Sequence, residues 1–73
     1  METTNKAAAE AYEKGLEAIK NEDFKSAIID LTIALQLDHE YASAYNNRGN
    51  GYSSINKHPE AIADFKKVIE LDP

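Results

Sequence analysis

The chain has no cysteine. No disulfide can staple the fold, and no thiolate can hold a metal. The same absence removes any sign of an oxidising compartment. Histidine is scarce: His39 and His58 lie far apart, with no ligand partner at metal-like spacing, so no metal site is expected. No apolar run approaches the roughly 18–20 residues that span a bilayer. The opening Met1-Glu2-Thr3-Thr4-Asn5-Lys6 lacks the basic start and apolar stretch of a secretory leader. Together these absences predict a soluble, cytoplasmic protein without a membrane partner. Basic residues are few, 8 against 13 acids, for a net charge of −5. That balance argues against nucleic acid as a partner, because phosphate binding needs clustered Lys and Arg.

Catalytic signatures are missing too. There is no Ser/His/Asp grouping, no Gly-rich phosphate loop and no His-x-Glu metal motif. The plentiful carboxylates Glu10, Glu13 and Glu17 fall at helix-surface spacing beside Lys14 and Lys20, where they pair across one turn. The expectation is a protein that is not an enzyme and needs no cofactor.

What is present is a repeat. Sliding the segment from Ala8 onto the segment from Ala42 makes seven positions coincide without a gap: Ala8/Ala42, Gly15/Gly49, Ala27/Ala61, Ile28/Ile62, Asp30/Asp64, Leu37/Leu71 and Asp38/Asp72. Other pairs keep their chemistry, among them Lys14/Arg48, Leu31/Phe65 and Leu35/Ile69. A fixed period of this size is the mark of a repeat architecture. It divides the chain into units at 8–41 and 42–73, with 1–7 as an N-terminal extension. Charge divides the same way. Residues 8–41 hold three lysines against eight acids, while residues 42–73 hold four bases against four acids. An acidic first half is either a solvated face or a surface that attracts a basic peptide or a neighbouring subunit.

Helical periodicity runs through both units. The stripe Ala8, Ala11, Tyr12, Gly15, Leu16, Ala18 and Ile19 follows i, i+3, i+4, i+7 spacing and predicts a helix over 5–21, with Thr4 or Asn5 as its cap. Ala27, Ile28, Leu31, Ala34 and Leu35 predict a second over 25–37, capped by Asp23 with Phe24 in the turn. A third is expected over 42–55. A fourth begins at Pro59, where a missing N–H costs nothing, and ends near Leu71. Strand patterns are absent, and the Asn50-Gly51 pair sits inside a helical frame. Links of about three or four residues between helices force antiparallel neighbours. The expected fold is all-α: four helices in two antiparallel helix-turn-helix repeats, an α-solenoid.

The second unit reads Tyr45-x2-Arg48-Gly49-x2-Tyr52, then Ala61-x3-Phe65, then Pro73. This resembles the tetratricopeptide repeat, with its W-x2-L-G-x2-Y…A-x3-F…P pattern. The first unit matches more loosely, through Gly15, Ala18, Ala27 and Leu31, with His39 in place of the final Pro. Both units carry a base, Lys14 or Arg48, where the pattern has Leu. Their long stems are expected to cover apolar surface with the charged heads in water. Gly15 and Gly49 are expected where two helices approach closely, facing Ala27 and Ala61, with Leu31, Tyr45, Tyr52 and Phe65 filling the space between.

The resemblance implies a module for protein–protein interaction whose concave face, lined by the first helix of each unit, takes a protein or peptide partner. The implied peptide-binding residues are Tyr12, Leu16, Ile19 and Lys20 from the first helix and Asn46, Asn47, Asn50 and Ser53 from the third. Asn side chains can bracket a peptide backbone, each with a donor and an acceptor. Capture of a chaperone C-terminal carboxylate, another function found in the family, uses Lys, Asn and Arg from three units, and only Asn47 matches that set. The alternative is self-assembly through Ile62, Phe65 and Ile69 of the fourth helix: some of these pack back on the third helix, and others would be left open in a two-unit array. Those left open would then be covered by a second copy, as a homodimer, or by neighbouring repeats of a longer array.

Overall fold

A computed structural model describes residues 3–73. It contains four helices, α1 (Lys6–Lys20), α2 (Phe24–Leu37), α3 (Ala42–Ser54) and α4 (His58–Leu71), and no strand among the described residues. The start of the N-terminal extension, residues 1 and 2, lies outside the described residues. The all-α architecture follows the periodicity, and the ends differ by a residue. Phe24 is the first residue of α2 rather than a turn residue, and α4 opens at His58, one residue before Pro59. Proline is tolerated at the second helical position as at the first, since neither N–H has an intrahelical acceptor. Ile55 is the C-cap of α3 rather than its last residue.

The N-caps of α1 and α2 are built from short polar side chains. Asn5 accepts the Ala8 N–H at 2.9 Å, and Asp23 accepts the Ser26 N–H at 3.3 Å. Such caps satisfy amides left over in the first turn. α1 and α3 end identically. Glu22 and Asn56, equivalent in the two units, take left-handed φ of 59° and 64°. The Glu22 N–H donates to the Ile19 carbonyl and the Asp23 N–H to the Ala18 carbonyl. In the second unit the Asn56 N–H donates to the Ser53 carbonyl and the Lys57 N–H to the Tyr52 carbonyl. This double bond pattern around a left-handed residue is the Schellman motif, which reverses the chain into the next helix.

α1 packs on α2, α3 packs on α4, and α2 packs on α3; α1 only grazes α3, and α4 packs on neither α1 nor α2. The result is a layered slab of 31 × 26 × 16 Å. Its core is made mainly of small residues. Ala8, Ala27, Ala34 and Ala44 are fully buried, and Leu31 is the one large side chain that is. Small residues let the helix axes come close. A Cβ on Gly15 would stand 2.7 Å from the Leu31 side chain, and one on Gly49 would stand 2.7 Å from Phe65 Cε1. Both glycines therefore sit at close approaches, as the repeat pattern predicts. Phe65 is consequently half-buried against Gly49 rather than free on the outer face of α4. Ile62 and Ile69 are the residues left open there, at 54% and 66% exposure.

The expectation for Arg48 fails. Its head is not in water: Nε donates to Asp64 Oδ2 at 2.9 Å, Nη2 to Asp64 Oδ1 at 2.7 Å and Nη1 to Thr32 Oγ1 at 3.2 Å. The guanidinium also lies over the rings of Tyr45, at 5.7 Å, and Tyr52, at 5.6 Å. Asp64 is 4% exposed, so its carboxylate needs this two-bond partner. The hydrogen bonding to Asp64 pushes the guanidinium pKa further above its ordinary value, against the opposing effect of burial. Lys14 is exposed, as expected, but its expected pairing with the neighbouring glutamates is not made: it forms no ion pair among the described residues.

Candidate functional site

α1 and α3, the first helix of each unit, meet only lightly. Where they meet, a pocket of about 330 Å³ opens, lined by Tyr12 from α1, by Ala42, Ser43, Asn46 and Asn47 from the first turns of α3, and by Val68 and Asp72 from the end of α4. The α3–α4 hairpin is antiparallel, so the end of α4 meets the start of α3. That places Asp72 beside the Ser43 turn.

Two contacts fix the wall. The Tyr12 and Tyr41 rings stack with centroids 4.8 Å apart and planes tilted by 39°. The Asn47 amide donates to the Tyr12 hydroxyl at 3.1 Å and to the Ser43 carbonyl at 3.0 Å. Both Asn47 donors are thus engaged within the protein, and its side chain braces α3 against α1. Behind the wall, the Tyr45 hydroxyl donates to the His39 carbonyl at 3.1 Å, closing the link between the units. Asn46 is exposed on the pocket floor.

Of the eight residues expected on the concave face, the pocket brings together Tyr12, Asn46 and Asn47. The other five lie outside its lining. Ile19 is half-buried and packs against the core cluster of Ala11, Leu31 and Leu35, because the acute turn at Glu22 draws the end of α1 onto α2. Leu16 is half-buried, and Lys20 is exposed at the last turn of α1. Asn50 and Ser53 are exposed farther along α3, beyond the turns that meet the end of α4. Sequence reasoning missed Val68 and Asp72. The signal was the short link at 56–58, which folds α4 back and returns its end to the start of α3.

The lining carries amides, hydroxyls and one carboxylate, and no base. Such a surface can hold peptide groups by paired donors and acceptors, and it has nothing to neutralise an incoming carboxylate. Among the described residues no group of His, Cys, Asp or Glu could hold a metal ion, and no helix is long and apolar enough to cross a membrane.

The model of the tetratricopeptide repeat matches residues 42–73. Residues 42–73 are a tetratricopeptide repeat. The first unit shares with them the offset identities, the helical hairpin, the close glycine contact and the Schellman turn. Among curated relatives, the chain is 40% identical over 68 residues to Hsp70-Hsp90 organizing protein 1 of Glycine max, and 38% identical over 66 residues to Hsp70-Hsp90 organizing protein 2 of Arabidopsis thaliana. These matches cover 93% and 90% of the chain but 12% of each relative, so the chain spans about an eighth of their length. Serine/threonine-protein phosphatase T of Trypanosoma brucei brucei is 35% identical over 48 residues, 66% of the chain and 10% of that protein. No solved structure matches the chain significantly.

Proposed function

We propose that this chain is a non-catalytic adaptor module that binds a peptide segment of a partner protein on its concave face. Residues 8–41 and 42–73 serve as its two units, preceded by an N-terminal extension at 1–7. The supporting observation is the polar pocket between α1 and α3, with Asn46 exposed on its floor and a wall held rigid by the Tyr12–Asn47 bond. Tyr12, Asn46 and Asn47 form the centre of the site. Lys20, Asn50 and Ser53 extend it along exposed surface, with Leu16 and Ile19 beneath. The names of the relatives favour a chaperone as partner, and the base-free lining favours contact along a peptide backbone over capture of a terminal carboxylate. A cytoplasmic setting belongs to the same reading.

The test is a titration of the isotope-labelled chain with peptides from Hsp70 and Hsp90 tails, each as free acid and as amide. Saturable shifts at Ser43, Asn46 and Asn47, equal for acid and amide, are expected, and Asn46→Ala should abolish them. Shifts that ignore this face, or that vanish on amidation, would overturn the reading.

A second reading rests on the open face of α4. Ile69 is 66% exposed, whereas its equivalent Leu35 is 7% exposed under α3. A second copy, or a neighbouring repeat, would cover that face. Light scattering across a wide concentration range checks the homodimer. Ile62→Glu with Ile69→Glu is the variant of choice, because Phe65 is needed against Gly49 whatever the oligomeric state.

A further inference from the structure

At the opposite end of α3 from the concave pocket lies a second depression, of about 310 Å³. α2 contributes Lys25, Ile28 and Ile29; the end of α3 and the turn after it contribute Tyr52, Ile55 and Lys57. It shares no residue with the concave pocket. The nearest lining residues of the two along α3, Asn47 and Tyr52, are roughly 8 Å apart at 1.5 Å per residue.

Three observations mark this slot out. Its walls are apolar, and Ile29 is 61% exposed in them, an arrangement that soluble surfaces usually keep for contacts. Tyr52 is fixed from behind by the Arg48 guanidinium, itself locked on Asp64, so this wall is rigid before any partner arrives. Its charge is opposite to that of the chain. The net charge is −5, yet the slot holds two lysines and no carboxylate, and neither lysine forms an ion pair among the described residues.

The geometry points to a second docking site, for a partner segment in which a bulky apolar side chain is flanked by aspartate or glutamate. The apolar side chain fills the slot between Ile28, Ile29 and Ile55. The flanking carboxylates reach Lys25 on one side and Lys57 on the other. Charge selects this occupant: a basic segment is repelled at the rim, and a neutral apolar one leaves both lysines unanswered. The site is independent of the concave face, so one module could hold two segments at once.

The probe is a short amidated peptide with a central Leu-Leu flanked on each side by aspartates. Controls carry lysine flanks or a central Ser-Ser. Affinity is read by fluorescence anisotropy, and the site by amide shifts. The aspartate–leucine peptide should move Ile28, Ile29, Tyr52 and Ile55 and leave Ser43, Asn46 and Asn47 still. Lys25→Glu with Lys57→Glu should weaken it about tenfold at low salt, with the difference shrinking as salt rises. Ile29→Ser should weaken it by about tenfold or more. All three positions are on the surface, and a circular-dichroism melt confirms that the variants fold. Lysine-flanked peptide binding equally well, no saturable shift at the slot, or slot signals that move with concentration in the free protein would each overturn the proposal. None of these outcomes touches the test of Asn46.

Discussion

The two units share a backbone frame and differ at its centre. In the first, Gly15 meets the fully buried Leu31, and Lys14 stands in solvent without an ion pair among the described residues. In the second, Gly49 meets the half-buried Phe65, and Arg48 turns inward to clasp Asp64. The acid is common to both, as Asp30 and Asp64, but Asp30 is half-buried and Asp64 is 4% exposed. The repeat therefore preserves positions where backbones approach and lets the neighbouring chemistry vary. An apolar centre tolerates loss of its surface base. A centre containing a buried carboxylate does not.

The largest expected effect follows from that contrast. Arg48→Met leaves the Asp64 carboxylate buried and uncompensated, which costs about 3 kcal/mol. Lys14→Met, at the same place in the first unit, should change stability by no more than about 0.5 kcal/mol. Replacing both Arg48 and Asp64 by leucine should cost less than Arg48→Met alone, because no charge is then stranded. Urea melts of the four proteins decide the matter. Equal losses for Arg48→Met and Lys14→Met would show that the ion pair adds nothing.

Glycines sharpen the comparison. An added Cβ at Gly15 collides with Leu31, which is buried on all sides, whereas one at Gly49 collides with the ring of Phe65, which is partly open to solvent and can swing. Overpacking costs about 1–3 kcal/mol, and Gly15→Ala should sit at the upper end with Gly49→Ala at the lower. Gly51 stands where the first unit has Glu17. A Cβ there would lie 3.4 Å from Ile28 Cγ1, close to ordinary contact. Gly51→Ala should therefore stabilise α3 by up to about 1 kcal/mol through helix propensity. Thermal melts rank the three, and destabilisation by Gly51→Ala would mean that Ile28 cannot give way.

How much of this was legible beforehand depended on the physical signal. Helix period, the close-approach glycines and the Asn5 and Asp23 caps all leave local marks, because spacing and short polar side chains act within a turn or two. The Arg48–Asp64 pair does not, since its sixteen-residue separation closes only after α4 folds onto α3. A trace was present: both units carry a base and an acid at the same offset, and an opposite pair repeated at fixed spacing suggests proximity. Of the pocket lining, Tyr12, Asn46 and Asn47 were the residues expected from the resemblance. The hydrogen bond between Tyr12 and Asn47 was not, because nothing in a sequence shows that two exposed-looking polar groups satisfy each other.

Smaller effects come from the turns. Glu22 and Asn56 occupy the same left-handed position, which costs a residue with a Cβ roughly 1–2 kcal/mol and is eased for Asn by its short polar side chain. Glu22→Gly should stabilise by about 0.5–1 kcal/mol after the greater chain entropy of glycine is counted, and Asn56→Gly by less. Midpoints of urea unfolding test this; a gain from Asn56→Gly larger than that from Glu22→Gly would contradict the strain argument.

The smallest effect separates the ends of the two units. Asp38 accepts the Thr3 hydroxyl and, at 3.1 Å, the Glu40 N–H, while Asn5 reaches the Leu37 carbonyl at 3.2 Å, so the approach to α1 is strapped to the end of α2. Asp72, the equivalent of Asp38, has no such strap among the described residues. The Thr3 hydrogen bond, followed by that from Glu40, holds the Asp38 carboxyl below its ordinary pKa of 3.8. A carboxylate whose folded pKa is depressed stabilises the protein above the unfolded pKa and loses that contribution as pH falls through the lowered folded value. Acid should therefore loosen the strap below about pH 4. Thr3→Val removes the larger cause, so the stability gap between wild type and this variant should be full near neutrality and narrow as the pH drops through that window. Melts across the acid range would measure the gap. A gap that stayed constant with pH would mean that Thr3 acts by packing alone and that the Asp38 charge plays no part in tying the first unit together.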